Sequence, residues 1–271
     1  MWPFLFDLDI AGVHLKPPTY GVLLAIAFST GYFEALRRAK PMGLDPKHVE
    51  NIFLLVVLSS VIGARMFHVL FEDPSYYWQH PTEIVAIWNG GYTLYGALIL
   101  SLVAGVLYTR LTKINYLAYA DLAATSVALG IGIGRLGCFF AGCCWGAPTT
   151  MPWGVIFSHP ESFTDPHLKH IPVHPTQIYE AVGCLLIYGY ISWLAKRHRY
   201  QGQLIFHFLI AYSFLRYLVE IFRGDSYRGF VLGGIFSYSQ FISLSFVPVA
   251  LLGIWYCRKH KPLAPLGSKS R

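Results

Sequence analysis

The sequence predicts an all-α polytopic membrane protein with seven transmembrane helices, the N-terminus outside and the C-terminus cytoplasmic. Three observations predict it. Of 271 residues 55% are hydrophobic and only 13% are charged, with a mean hydropathy of +0.47, whereas a soluble domain carries roughly 25% charged residues. Apolar runs long enough to cross a hydrocarbon core of about 30 Å, at about 1.5 Å per residue, recur seven times along the chain. Lysine and arginine gather at alternate ends of those runs, as the positive-inside rule requires. The 18 tyrosines and 7 tryptophans fit interfacial belts better than a soluble core. The formal charge of +7 is not a nucleic-acid signature, because the basic residues cluster at the ends of apolar runs. Five cysteines in no finger-like spacing argue against a structural zinc site or a disulfide framework.

The elements follow in order as one membrane domain. Residues 1–17 read as an interfacial lead-in rich in Trp, Phe and Leu, with Asp7 and Asp9 but no basic region of a cleaved signal peptide. Spans are expected at about 20–36, 48–71, 91–108, 116–140, 176–194, 203–222 and 231–256, within residues 18–257, and 258–271 form a tail. Between the second and third spans lies a polar, aromatic loop, 72–89, and between the fourth and fifth a long loop, 147–173, with several Pro and His. Most basic residues fall near 37–47, 110–113, 196–199 and 258–261, which sets that side as cytoplasmic; the opposite side holds Lys16, Lys169, Arg228 and the border residue Arg223.

The stretch from Gly130 to Gly146 ends the fourth span and spends six glycines and three cysteines, Cys138, Cys143 and Cys144, in seventeen positions, with one arginine, Arg135. A charged residue at that depth must snorkel, find a partner or line a wet cavity. Read alone, the stretch fits a glycine-packed helix with a snorkelling Arg135 as well as it fits a site. The sixth span is more pointed. Tyr212, Arg216, Glu220 and Arg223 are spaced four, four and three, so all fall on one narrow helical face. Arg216 and Glu220 can pair at i, i+4, and the face carries one more positive than negative charge. An internal ion pair that locks helix packing is one reading. The other is a cavity face that offers guanidinium groups to an anion, since a planar fork grips phosphate oxygens with two hydrogen bonds. By the charge topology, Arg135 lies at a similar outer depth, where a lipid phosphate is the obvious anion. His174-Pro175-Thr176-Gln177-Ile178-Tyr179-Glu180 opens the fifth span. A capped helix start explains Pro175 and Thr176 but not Gln177 and Glu180 within the membrane, and Glu180 is a reasonable partner for a buried arginine.

Together these motifs resemble the prolipoprotein diacylglyceryl transferase family over nearly the whole chain. The resemblance rests on Tyr20-Gly21, on Gly-Ala-Arg at 63–65, and on Gly-Gly-Tyr-Thr-Leu-Tyr-Gly-Ala at 90–97. It continues through Gly-Arg-Leu-Gly and Trp-Gly within 134–146, His-Pro-Thr-Gln-Ile-Tyr-Glu at 174–180, and Tyr-x3-Arg-x3-Glu-x2-Arg at 212–223. It implies an enzyme of the bacterial inner membrane, a monomer without cofactor, metal or nucleic-acid partner. Its substrates would be phosphatidylglycerol and the lipobox cysteine of a prolipoprotein signal peptide, with glycerol phosphate released. Carried over to this chain, Arg135 and Arg216 bind the headgroup and stabilise the leaving phosphate, and Glu220 orients Arg216. Tyr20, Tyr212, Arg223 and Gly146 complete the site, with Arg65, Gly134, Gly137, His174, Gln177 and Glu180 on the substrate-binding side.

The chain departs from the family pattern where the acceptor thiol would be activated. The family has His-Gly-Gly in the third span, with the histidine as base, and this chain has Tyr95-Gly96-Ala97. The family's asparagine after Gly137, and the glutamate of the following loop, are both cysteines here, Cys138 and Cys143. Tyrosine ionises near about pH 10 and is a poor base unless a cation helps it. The departures leave open a diverged transferase in which Tyr95 or the acceptor's own ionisation serves. They also leave open a lipid transferase with another acceptor using Cys138, Cys143 or Cys144 as nucleophile or redox pair, and a non-enzymatic lipid-binding protein.

Overall fold

The computed structural model describes residues 2–10, 13–86, 88, 90–224, 229–231 and 236–263. The basic residue Arg228 and the tail from 264 lie outside the described residues. Seven helices are long and apolar enough to cross a membrane: α1 (Thr19–Ala39), α2 (Pro46–Phe67), α4 (Leu94–Leu111), α5 (Tyr116–Ala141), α6 (Thr176–Ala195), α7 (Gln203–Ile221) and α8 (Tyr238–His260), with a short α3 (Pro74–Gln79) between α2 and α4. Their large apolar side chains are turned outward rather than packed away. Leu54, Leu58 and Ile62 on α2 recur every fourth residue and are more than half exposed. A soluble protein could not leave such stripes in water, whereas hydrocarbon solvates them without cost.

The chain packs as two compact units, residues 36–119 in one and residues 1–35 with 120–271 in the other. In the first, Asp45 caps α2 by accepting from the Lys47 amide at 2.9 Å, which satisfies one of the orphan N–H groups of the first turn. Helix α2 runs on into a π-helical turn, His68–Glu72. Helices α2 and α4 meet at Gly63 and Gly96, where a Cβ on either glycine would overlap the other's carbonyl oxygen. That is the small-residue contact by which membrane helices approach closely. Gly63→Ala is therefore expected to destabilise this pair by about 1–3 kcal/mol, read as a lower unfolding midpoint in detergent; an unchanged midpoint contradicts the contact. Helix α4 starts at Leu94, later than the apolar run suggests, because Gly90 and Gly91 hold left-handed φ of 80° and 75°. The loop they end is held by Arg65, which donates to the carbonyls of Glu83, Ile84, Gly90 and Gly91.

In the second unit, a two-stranded antiparallel hairpin, β1 (Leu8–Ile10) and β2 (Val13–Leu15), forms the lead-in before α1. Lys16 fastens it by ion pairs with Asp7 at 3.4 Å and Glu161 at 2.7 Å. Glycines let α5 pack tightly. A Cβ on Gly132 would sit 3.3 Å from the Ala181 carbonyl of α6, and one on Gly137 would sit 3.2 Å from the Tyr20 ring of α1. At the other end of α5, fully buried Asp121 caps α7 across the fold. Its carboxylate accepts from the amides of Gly202 at 2.6 Å, Leu204 at 2.8 Å and Ile205 at 2.9 Å, and from His198 at 2.9 Å. Gly202, with φ of 85°, begins α7 without a side chain of its own to cap it. The last span corrects the sequence expectation of a start near 231. Phe230–Val231 (β3) pairs antiparallel with Phe236–Ser237 (β4), and the Ser237–Gln240 capping box opens α8 only at Tyr238.

Candidate active site

Helix α5 ends in a way the sequence between Gly142 and Gly146 dictates. Gly142 adopts φ of 77° and donates its amide to the Phe139 carbonyl at 3.2 Å, while the Cys143 amide reaches the Cys138 carbonyl at 3.2 Å. This is a Schellman motif, and glycine suits its left-handed position because it has no Cβ penalty. Past the motif, Cys144 takes φ of 61°, an uncommon value for a residue with a side chain. The two turns fold the chain back toward α5, and the thiol sulfurs of Cys138, Cys143 and Cys144 all come within 4.8 Å of one another.

The start of α6 locks this turn. Buried Thr176 donates its hydroxyl to the Cys144 carbonyl at 2.7 Å, and buried Gln177 donates its amide to the Cys143 carbonyl at 2.7 Å. Gly146 sits in a backbone junction. Its amide donates to the His174 carbonyl at 3.0 Å, it bridges to Arg223, and the next amide, Ala147, donates to the Phe222 carbonyl at 2.8 Å. A Cβ on Gly146 would lie 2.6 Å from the His174 Cβ and 2.7 Å from the Phe222 carbonyl oxygen, so only glycine fits. The following loop builds a small core of Trp145, Phe157 and Val173. It is held to α6 by Tyr179, whose hydroxyl accepts from Trp153 at 2.7 Å and bonds His174 Nδ1 at 3.0 Å.

One turn further into α6 lies Glu180, 1% exposed, which gathers the charged residues. Its Oε1 pairs with Arg135 of α5 at 3.0 Å and accepts from the Tyr212 hydroxyl of α7 at 2.9 Å. A turn along α7, Arg216 pairs with Glu220 at 2.6 Å and donates to Ser239 of α8 at 3.2 Å. Both contacts use Nη2; Nη1 of the same guanidinium is buried and has no hydrogen-bond partner among the described residues. The pairing of each arginine with a carboxylate reduces the cost of burial, and the orphaned donor makes the arrangement incomplete without an acceptor.

Of the residues the sequence singles out, the structure thus brings Arg135, Glu180 and Tyr212 into one network and Arg216 with Glu220 into the next turn of the same α7 face. Gly146, His174 and Arg223 form the backbone junction, Gln177 braces the cysteine turn, and Tyr20 lies against Gly137. Gly134 has nothing within 4 Å of where a Cβ would stand. Arg65 and Tyr95 belong to the other unit. Arg65 there spends its guanidinium on loop carbonyls, and Tyr95, 51% exposed, sits in the first turn of α4. Sequence reasoning did not find Ser239, which follows the Ser237 cap and becomes an Arg216 partner only because α8 packs on α7. Thr176 read as a helix start, and its hydroxyl serves the cysteine turn as well.

The fold and this site define a class first: a seven-span membrane protein with paired arginines, buried among carboxylates, whose donors suit an anion. Comparison with known proteins gives the family. The model of the prolipoprotein diacylglyceryl transferase family matches residues 5–256. A phosphatidylglycerol–prolipoprotein diacylglyceryl transferase of Geobacter sulfurreducens is 34% identical over 245 residues, covering 89% of this chain and 90% of its own. Enzymes of the same name from Bordetella avium, 34% identical over 83% of this chain and 84% of its own, and from Clostridium tetani, 32% identical over 90% and 93%, match likewise. The chain belongs to the prolipoprotein diacylglyceryl transferase family.

Proposed function

We propose that this chain transfers the diacylglyceryl group of phosphatidylglycerol to the lipobox cysteine thiol of prolipoproteins and releases glycerol phosphate. The observation that carries this reading is the buried, unpartnered Nη1 of Arg216 beside its pair with Glu220. A phosphate oxygen is the acceptor that such a donor lacks, and a guanidinium held in register by a carboxylate is preorganised to receive it. In the reaction the acceptor sulfur forms a bond to the glyceryl carbon, the carbon–oxygen bond to phosphate breaks, and the electron pair leaves on the phosphate. Negative charge therefore grows at the leaving oxygen, which is where Arg216 and Arg135 act. Glu180 and Tyr212 set the orientation of Arg135, Glu220 that of Arg216, and Arg223 with Gly146 borders the headgroup. Tyr20, Gly134, Gly137, His174 and Gln177 complete the lipid and acceptor surroundings, and Tyr95 stands in the sequence where the family has its histidine.

The same reading places the protein as a monomer in the bacterial inner membrane, with the C-terminus cytoplasmic and the site opening to the outer leaflet. The charge bias of the loops supports that orientation. Expression in a bacterium depleted of its own transferase tests it in cells. Lipoproteins are expected to regain a diacylglyceryl-modified cysteine, seen by mass spectrometry; unmodified precursor in cells that contain folded protein contradicts the proposal.

A further inference from the structure

The three thiols of Cys138, Cys143 and Cys144 take no part in the arginine network, yet several features of the fold converge to gather them. The Schellman turn at Gly142 reverses the chain, and Cys144 holds a left-handed φ of 61°, a strained value for a residue with a Cβ. Buried Thr176 and Gln177 pin the carbonyls of Cys144 and Cys143. The result is three unbridged, half-buried thiols with sulfurs within 4.8 Å of one another. A tetrahedral zinc ion with zinc–sulfur bonds of about 2.3 Å spaces its sulfurs by about 3.8 Å, so closing on the ion asks for shifts of about 1 Å or less. No His, Asp or Glu joins the group among the described residues. A zinc ion held by these ligands keeps its fourth position open, the pattern of catalytic rather than structural zinc.

We propose that Cys138, Cys143 and Cys144 bind one Zn²⁺ as three thiolates, and that its fourth position receives the lipobox thiol of the acceptor. The proposal rests on the transferase reading above and names how that reaction obtains its nucleophile. A thiol that coordinates zinc gives up its proton outright, here to water. The coordinated sulfur then forms the carbon–sulfur bond, the carbon–oxygen bond to phosphate breaks, and the electron pair leaves on the phosphate toward Arg135 and Arg216. Zinc changes no oxidation state in the process. Such a site supplies the thiol ionisation in a chain that carries Tyr95 where the family has its histidine. It departs from the expectation drawn from cysteine spacing, because Cys-x4-Cys-Cys matches no finger, and the left-handed turns at Gly142 and Cys144 bring the three together.

The full-length protein, purified after growth with zinc, is analysed for metal by mass spectrometry. About one zinc per chain is expected, with loss in Cys138→Ser, Cys143→Ser and Cys144→Ser. Replacement by Co²⁺ is expected to give the intense charge-transfer absorption of cobalt–thiolate bonds, and a lipobox peptide is expected to shift it while the same peptide with serine for cysteine does not. Transfer is expected to fall more than about tenfold on metal removal and to return with zinc. Metal-free protein that transfers at the full rate overturns the zinc proposal and leaves the transferase reading standing, as does a disulfide or copper found in zinc's place. A cobalt spectrum that the peptide does not move overturns the acceptor-binding role. Zinc-loaded protein that binds the peptide but forms no thioether keeps the metal site and overturns the transferase reading.

Discussion

Arg216→Ala is expected to lower diacylglyceryl transfer by about 10²–10³-fold, the effect of removing one preorganised donor from a developing oxyanion. The loss falls on kcat more than on KM, because the phosphate gains its charge in the transition state and not in the bound lipid. The variant also leaves Glu220, 4% exposed, as a buried charge without its Arg216 partner, which costs about 3–5 kcal/mol of stability. Activity loss and destabilisation must therefore be separated. The double variant Arg216→Met with Glu220→Leu replaces the pair by apolar groups, and such replacements are close to neutral for stability. It is expected to regain the thermal midpoint of the parent and to remain inactive. If instead the double variant recovers transfer along with stability, the pair is packing and Arg216 is no part of the chemistry. Rates are followed with a fluorescent lipobox peptide in phosphatidylglycerol micelles, and unfolding on the same preparations.

Asp121→Ala is expected to lose more than about 3 kcal/mol of stability. The carboxylate is fully buried and accepts three backbone N–H groups at the start of α7 together with His198. Alanine leaves these donors buried and unmet where α7 has no cap of its own, and α7 is the helix that carries Tyr212, Arg216 and Glu220. Asp121→Asn keeps one acceptor oxygen for the Leu204 and Ile205 amides, so it is expected to fall between the parent and the alanine variant. A midpoint for Asp121→Ala within experimental error of the parent would show that the α7 start holds itself.

Much of the fold is legible because membrane spans announce themselves through length and apolarity. The boundaries that moved did so for local reasons. Gly90 and Gly91 delay α4, and the strand pair at Phe230 and Phe236 followed by the Ser237 capping box delays α8. Within the site, the four-four-three spacing on α7 exposes the shared face of Tyr212, Arg216 and Glu220, since helical periodicity is a one-dimensional signal. Partners contributed by other helices are not of that kind. Glu180 could be offered to any arginine from sequence, and only the packing of α5, α6 and α7 assigns it to Arg135 and Tyr212. Asp121 lies in an apolar run with its ligands about eighty residues away, and Ser239 touches Arg216 only through the α7–α8 contact. The cysteine cluster is the extreme case, because its closure depends on two left-handed backbone positions, Gly142 and Cys144, on either side of Cys143.

In the proposed reaction a phospholipid phosphate leaves as a thiol takes its carbon. Purified protein incubated with phosphatidylglycerol and a lipobox peptide, followed by mass spectrometry of both products, tests it directly. A diacylglyceryl thioether on the peptide cysteine and glycerol phosphate in equal amount are expected. Glycerol phosphate without modified peptide, or neither product from folded protein that has bound the lipid, would contradict it.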